Sequence, residues 1–569
     1  MPSLQFKGRA TVLNHHTVVK YHQLLPIKKH SVAKEPSISD NLIVHGDNLK
    51  ALKALLPTHA GQAKCVYIDP PYNTGKKIWV YSDSVESPTM QEWLGKTVDA
   101  NDLTRHDKWL CMMMPRLKLL RELMHDKGVI FISIDNNEIA NILLLMDEIF
   151  GEVNRVGVIV WKNATDNNPT NIATEHEYIV CYAKNKPSIS EEWKSKLSDI
   201  KEVLVNVGNE LTAKFKGKPL AELKTAYAAW HSEHKFELGP MSDYKFIDFD
   251  GVYAGSRSVH NPGKEGYRYD VIHPGTKKPC VEPARGYRFA PETMKDLLSK
   301  EKIIFADDHT NIIQLKVYAS DFEDKLPSVL DMDGRSGSNE LKTIFADRDG
   351  EKVFDNPKSS ALIETLLSFT TSGDDLVLDS FAGSGTTAHA VLALNKRDGG
   401  KRRFVLVETE DYAENVTAER VRRVIKGVDG SKDPLLKNGL GGGFSFFKLG
   451  PSIEMESILS GASLPSFLDL AKYVYYTATG REFNGKVADE KSFLIGTTET
   501  HQVYLYYKPD IEWLKGSALT MDVAKTFSKE GKRALVFAAN KYLDQEYLDA
   551  LRIDFAQLPF EIYGLARKR

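Results

Sequence analysis

Cys65-Val66-Tyr67-Ile68-Asp69-Pro70-Pro71-Tyr72-Asn73 reads as a strand that is forced to stop. Its four leading apolar residues mark a buried parallel strand. Two prolines cannot donate to a sheet ladder, so the strand ends at Ile68 and a rigid turn follows. That turn presents one carboxylate, backbone carbonyls held by fixed φ angles, and one aromatic face. The combination suits gripping a flat, polar, amine-bearing ring. A plainer reading of the same residues is an Asp-Pro turn with a packed tyrosine, and the rest of the chain has to decide.

Upstream, Leu42-Ile43-Val44-His45 is a short strand. Gly46-Asp47-Asn48 is a turn and cap, and Leu49 to Leu56 has helical spacing. With the strand before Asp69 this makes a β-α-β unit whose strands run parallel. Downstream, a long loop from Thr74 to about Arg105 carries Lys76, Lys77, Trp79 and Tyr81. Basic and aromatic residues together suit phosphate contact and base stacking. Packing over a neighbouring domain would use the same residues. His106 to about Lys127 reads as a helix with Met112, Met113 and Met114 in the core, and Gly128–Ile134 as a buried strand. Asn137–Phe150 reads as a helix, and Val156–Trp161 and Tyr178–Tyr182 as strands. Residues 41–185 are therefore expected to be α/β, a doubly wound, Rossmann-like sheet with ligands at the carboxyl ends of its strands. Residues 1–40 are polar and locally basic and read as a solvated N-terminal arm.

The alternation breaks at residues 186–345, which are charged and loop-rich, with a helical stretch near Ser195–His234. We expect an inserted domain there. Its clusters Tyr267-Arg268-Tyr269 and Arg285-Gly286-Tyr287-Arg288 suit contacts of Arg268, Arg285 and Arg288 to guanine edges and phosphates, and aromatic stacking; the plainer reading is an ordinary β-rich surface.

The alternation resumes in residues 346–438. Phe354-Asp355-Asn356-Pro357-Lys358 leads a helix. Leu376-Val377-Leu378-Asp379-Ser380-Phe381-Ala382-Gly383-Ser384-Gly385-Thr386-Thr387 is an apolar strand, a small-residue turn and a helix start. Gly383 and Gly385 let the backbone approach a ligand, and the helix turns free N–H groups toward it. The next strand ends in Glu408, an acid placed to bind a ribose diol. The turn lacks the lysine of a phosphate loop and the third glycine of a dinucleotide fingerprint, so nucleotide hydrolysis and nicotinamide chemistry are set aside. Gly439–Gly443 reads as a linker to a small C-terminal α/β or α+β domain, residues 439–569.

The totals are those of a soluble globular protein of 569 residues: 42% hydrophobic, 27% charged, net charge −2. That length allows roughly three or four domains. Near-neutral charge does not exclude nucleic acid, because a basic groove can sit in a neutral protein. Four scattered cysteines with no CxxC pair suggest neither disulfides nor zinc, and fit a reducing cytoplasm. No apolar run approaches membrane-spanning length and no signal pattern opens the chain.

Asp69-Pro70-Pro71-Tyr72 and Phe381-Ala382-Gly383-Ser384-Gly385 together resemble the signature pair of the S-adenosylmethionine-dependent amino-group DNA methyltransferases, in the permuted β-class order. The chain resembles the modification (Mod) subunits of type III restriction–modification systems. The likeness runs from Val44–Asn48 through Asp69–Asn73 and the Trp79-Val80-Tyr81 loop to Phe444–Gly450 and the C-terminal domain. It implies a catalytic turn of Asp69, Pro70, Pro71 and Tyr72. Asp69 and the Pro70 carbonyl would accept the protons of an adenine N6 amine, and Tyr72 would stack on the extruded base. It implies a cofactor site of Asp69, Asp379, Phe381, Gly383, Gly385 and Thr386, with Glu408 on the ribose. Asp47 would lie near the cofactor's adenine and Pro357-Lys358 near its methionine end. Asp rather than Ser at position 69 follows the adenine pattern rather than cytosine N4. The insertion would be a target-recognition domain on double-stranded DNA, with Lys76, Lys77 and Tyr81 beside the DNA. Relatives are less basic at Lys76-Lys77, which leaves the DNA path open at that loop. No metal is implied. A homodimer, a bacterial or archaeal cytoplasm close to the nucleoid, and a separate helicase–nuclease restriction subunit are implied. A solitary methylase, a cytosine-N4 enzyme and an RNA methyltransferase remain as alternatives.

Overall fold

The computed structural model describes residues 4–75, 104–164, 171–195, 197, 199–235, 238, 241–261, 263–348, 353–453, 464–528 and 531–558. Lys76, Lys77, Trp79 and Tyr81 lie outside them. The chain divides into two compact units, residues 1–191 with 327–569, and residues 192–326.

The first unit is built on a ten-stranded sheet. Its strands are β1 (His22–Pro26), β2 (Leu42–His45), β3 (Ala63–Ile68), β4 (Met124–Ile134), β5 (Arg155–Lys162), β6 (His176–Ala183), β7 (Val329–Asp331), β8 (Leu376–Asp379), β9 (Arg403–Glu408) and β10 (Ser445–Ser452). Their order is β1-β10-β2-β9-β8-β3-β4-β6-β5-β7. From β10 to β4 every pairing is parallel, whereas β1 and β6 run against their neighbours. The central strands are apolar on both faces because helices cover both: Val66, Ile68, Leu378 and Val405 are fully buried. Met112, Met113 and Met114 are fully buried in the same core, on the helix Arg105–Leu123.

β3 and β8 lie side by side at the middle of this sheet. The chain leaves β3 by the helix Arg105–Leu123 for β4 on one side. It leaves β8 by the helix Thr386–Asp398 for β9 on the other. The crevice between their carboxyl ends is therefore the switch point of a doubly wound sheet, where ligands bind.

Three expected boundaries move. Residues 1–40 are not a solvated arm: His22–Pro26 pairs with β10, Val12 is fully buried, and Lys53 Nζ donates to the His16 carbonyl at 2.9 Å. The edge of a sheet needs a partner, and Leu24 and Leu25 provide a strand for it. The inserted unit is shorter than residues 186–345, because Val329–Asp331 returns to the sheet beside β5 and the helix Arg335–Ile344 belongs with the first unit. The Gly439–Gly443 turn leads not to a separate domain but to β10, which pairs with β2. The remaining C-terminal residues form their own four-stranded sheet, Leu494–Thr497, His501–Tyr506, Arg533–Ala538 and Ile553–Gln557, of which the last three strands are parallel.

The second unit contains the helices Asp199–Lys214 and Leu220–His234. Its antiparallel sheet runs in the order Ile303–Ile304, Gln314–Tyr318, Gly251–Arg257, Phe246–Asp248. All four cysteines are buried free thiols. No described helix is long and apolar enough to cross a membrane, and no group of three or more metal-type ligands occurs among the described residues.

Candidate active site

Register fixes the geometry of the site. Val66 on β3 faces Leu378 on β8, so the turns that follow the two strands open onto one cavity of about 470 Å³. Asp69, Pro70, Pro71, Tyr72, Lys358, Asp379, Phe381, Gly383, Thr386 and Glu408 all line it, joined by Glu177, Asp355 and Tyr412. Its volume is ordinary for a small-molecule site. Asp47 and Gly385 are not among the lining residues. Asp47 caps the helix Asn48–His59 by accepting from Lys50 N at 3.0 Å. Its neighbour braces the backbone that follows β8: Asn48 Nδ2 donates to the Ser380 carbonyl at 2.9 Å, with the buried Arg116 donating to Asn48 Oδ1 at 2.6 Å. Gly385 is the N-cap of the helix Thr386–Asp398, in the left-handed region at φ 82°.

The catalytic-type turn is anchored from behind. Trp109 Nε1 donates to the Pro71 carbonyl at 2.7 Å, and Asn73, at φ 58°, donates to the buried Glu138. This holds the turn without using the Asp69 carboxylate. Asp69 Oδ1 is buried and accepts no hydrogen bond from the described residues. It meets Lys358 Nζ as an ion pair at 3.2 Å. Lys358 Nζ also donates to Glu177 Oε2 at 2.9 Å and to the Tyr72 hydroxyl at 2.8 Å, and that hydroxyl donates to Glu177 Oε2 at 2.9 Å. Burial pushes the Asp69 carboxyl up from its ordinary range, against the pull of Lys358. Burial would depress the Lys358 ammonium, but Asp69 and Glu177 outweigh it and the group is held above its ordinary value. The Lys358 ammonium, expected near a cofactor's methionine end, thus contacts the Asp69 and Tyr72 side chains at the cavity wall.

In the glycine-rich turn the carboxylates serve the backbone. Asp379 accepts from Phe381 N at 2.9 Å and from Thr387 Oγ1 at 2.6 Å. Glu408 accepts from Gly383 N at 2.7 Å and from Glu410 N at 2.9 Å. Burial pushes both carboxyls up to about 7. At Gly383, φ is 53°, and an added Cβ would lie 3.1 Å from the Phe354 ring. Behind the turn, the fully buried Arg420 donates to Ser384 Oγ at 2.9 Å, to Thr386 Oγ1 at 2.7 Å and to Glu340 Oε2 at 2.7 Å.

Sequence reasoning does not single out Glu177, Trp109 or Tyr412. Glu177 reaches the site because β6 runs antiparallel, which brings its first residues to the carboxyl edge of β4; strand composition gives no direction. Of the inserted-unit arginines, Arg285 and Arg288 are exposed. Arg268 is engaged, donating to Glu282, to Glu265 at 3.1 Å and to the Ala284 carbonyl at 3.1 Å. Tyr269 and Tyr287 stack on each other at 4.7 Å, Tyr287 within the unit's own core and Tyr269 packed against it.

A doubly wound sheet with a glycine-rich turn and a carboxylate–proline–aromatic turn on adjacent strands defines an α/β group-transfer protein, one turn for a donor and one for an acceptor. A family model for DNA methylases of the N6/N4 type matches residues 63–419. This chain belongs to that DNA methylase family. The Mod subunit of the type III restriction–modification enzyme EcoP15I of Escherichia coli is 50% identical over 395 residues, 68% of this chain and 61% of that protein. The StyLTI Mod subunit of Salmonella typhimurium is 33% identical over 408 residues, 69% of this chain and 56% of that protein. The matches thus span less than two thirds of either relative's length. Among solved structures, the cytosine-N4-specific PvuII DNA methyltransferase is 11% identical, covering 67% of this chain and 86% of its own, with a TM-score of 0.33. The family read from the two motifs is borne out.

Proposed function

We propose that this chain is a DNA methyltransferase that uses S-adenosylmethionine to methylate the N6 amine of an adenine turned out of the duplex, as the modification subunit of a type III restriction–modification system. The observation that carries this reading is the Val66–Leu378 register, which sets the Asp69 turn and the Gly383 turn over one cavity. The cavity's chemistry fits a cationic donor: among the described residues it is lined by the carboxyl groups of Asp69, Glu177, Asp355, Asp379 and Glu408 and by one ammonium, Lys358. Phe381, Gly383, Thr386 and Glu408 would hold the donor, which supplies an activated methyl group on a sulfonium.

An exocyclic amine conjugated to its ring is a poor nucleophile. Asp69 Oδ1, which is buried and accepts no hydrogen bond from the described residues, would accept one of its protons in place of the Lys358 ion pair, and the Pro70 carbonyl would accept the other. Two acceptors favour a pyramidal nitrogen and stabilise the charge that develops on it, which is preorganised electrostatics. Taking the base out of the duplex costs a few kcal/mol, and stacking on Tyr72 returns about 1–3 kcal/mol. The inserted unit, residues 192–326, is the proposed target-recognition element, with Arg285 and Arg288 on its surface. A homodimer and a helicase–nuclease partner belong to the same proposal. The test is transfer of labelled methyl from S-adenosylmethionine to DNA, followed by nucleoside analysis. N6-methyladenine in DNA supports the reading, and label found in cytosine, in RNA or in protein sinks it.

A further inference from the structure

Lys358 carries three N–H donors and meets three partners: Glu177 Oε2, the Tyr72 hydroxyl and Asp69 Oδ1. The first two are hydrogen bonds of 2.9 and 2.8 Å. The third is the longest at 3.2 Å and is an ion pair only. The ammonium side chain is 11% exposed, so it cannot simply move into water when Asp69 is needed elsewhere. An acceptor amine that binds Asp69 has to displace this cation, and a buried cation left without an anionic partner is strongly disfavoured. Glu177 removes that difficulty. It already holds the ammonium, and it fixes the Tyr72 ring by accepting from its hydroxyl.

We propose that Glu177 is a positioning residue that retains the Lys358 ammonium when the acceptor amine takes Asp69, so that Lys358 acts as an internal stand-in for the substrate amine. The proposal rests on the methyltransferase reading above. Removing the charge of Glu177 leaves Asp69 as the main anion for Lys358. The lysine is then held less firmly overall but depends on Asp69 alone for an anion, so it competes with the incoming amine, while the glycine-rich turn is untouched.

The experiment compares the wild-type protein with Glu177→Gln, Lys358→Met and the double variant, and includes Glu177→Asp as the conservative control. Melting curves confirm that each is folded. In Glu177→Gln we expect kcat/KM for DNA to fall about tenfold or more, with donor affinity unchanged. Fluorescence of 2-aminopurine at the target position should show less extruded base. Glu177→Asp should restore part of both. Lys358→Met should erase the effect, the double variant matching the single lysine variant. A loss of the same size in the Lys358→Met background, or a Glu177→Gln variant that matches wild type, overturns the proposal. Competitive acetylation of Lys358, read by mass spectrometry, tests the hold without turnover. A rate raised by loss of the Glu177 charge supports it, and an unchanged rate overturns it. A wild-type protein that transfers no label to DNA removes the methyltransferase reading instead, and the acetylation comparison still decides whether Glu177 holds the lysine.

Discussion

Val66 and Leu378 are register partners on adjacent parallel strands, although more than 300 positions separate them in the chain. Asp69 lies three residues beyond the first and Phe381 three residues beyond the second. The Asp69 turn and the Gly383 turn are therefore neighbours by backbone pairing alone.

Asp69→Ala should reduce methyl transfer at least about a hundredfold, the scale of losing one preorganised electrostatic contact. Donor binding should survive, because the glycine-rich turn is held by Asp379, Glu408 and Arg420. Transfer assays and calorimetric titration with the donor check both halves. Transfer at a normal rate would show that the active site lies elsewhere.

Donor binding should tighten as pH rises through about 7, where the buried carboxyls of Asp379 and Glu408 ionise. A cationic ligand favours the ionised carboxylates, so binding releases protons. Stability of the ligand-free protein should run the opposite way. Both groups are raised above their unfolded values, so the folded state binds more protons in this window. Their contribution is fully present below the ordinary carboxylate range and is lost as pH climbs through about 7. Titrations and thermal melts across that range, repeated with Glu408→Gln, should show both slopes flattened.

Arg420→Met should destabilise the protein by about 3 kcal/mol, because it leaves the partly buried Glu340 without its guanidinium partner. The double variant Arg420→Met/Glu340→Gln should recover part of that loss. Denaturant melts measure it, and additive effects of the two changes would refute the coupling.

Arg285→Ala and Arg288→Ala should each weaken DNA binding and reduce its salt slope by about 1, as expected for a phosphate contact. Arg268→Ala should do less, because Glu282 and Glu265 already neutralise its guanidinium. Affinity measured against salt concentration separates the three.

The parts of the site that follow from local chain chemistry are legible in the sequence. Two prolines end β3 at the point where they must, and Gly383, at positive φ, marks a close turn. What is not legible depends on direction and register. Nothing in His176–Ala183 says that the strand runs antiparallel, so Glu177 does not stand out. The cap at Asp47 is legible from Gly46-Asp47-Asn48 and its side chain does accept from Lys50 N, whereas the hydrogen bond of the buried Asn48 to the Ser380 carbonyl depends on tertiary packing and is not. The arginine–tyrosine clusters look alike as text. In the structure Arg268 is paired, Tyr287 is core with Tyr269 packed against it, and Arg285 and Arg288 face outward. Lys76, Lys77 and Tyr81 fall outside the described residues.

The strand order has a consequence for how the chain reaches its folded state. β10 lies between β1 and β2, and β8 and β9 lie between β2 and β3. Three strands made late in synthesis thus interleave with strands made early, and β2 finds no hydrogen-bonding neighbour before residue 403 has emerged from the ribosome. Such long-range pairing is slow and leaves strand edges open while it waits. The strands that carry the Asp69 turn and Glu177 can pair early, because β3, β4, β6 and β5 neighbour one another and precede residue 184, whereas the Gly383 turn waits for β8. The cavity between the two turns, which Glu408 and Tyr412 help to line, is complete only when β8 and β9 have closed the sheet between β2 and β3.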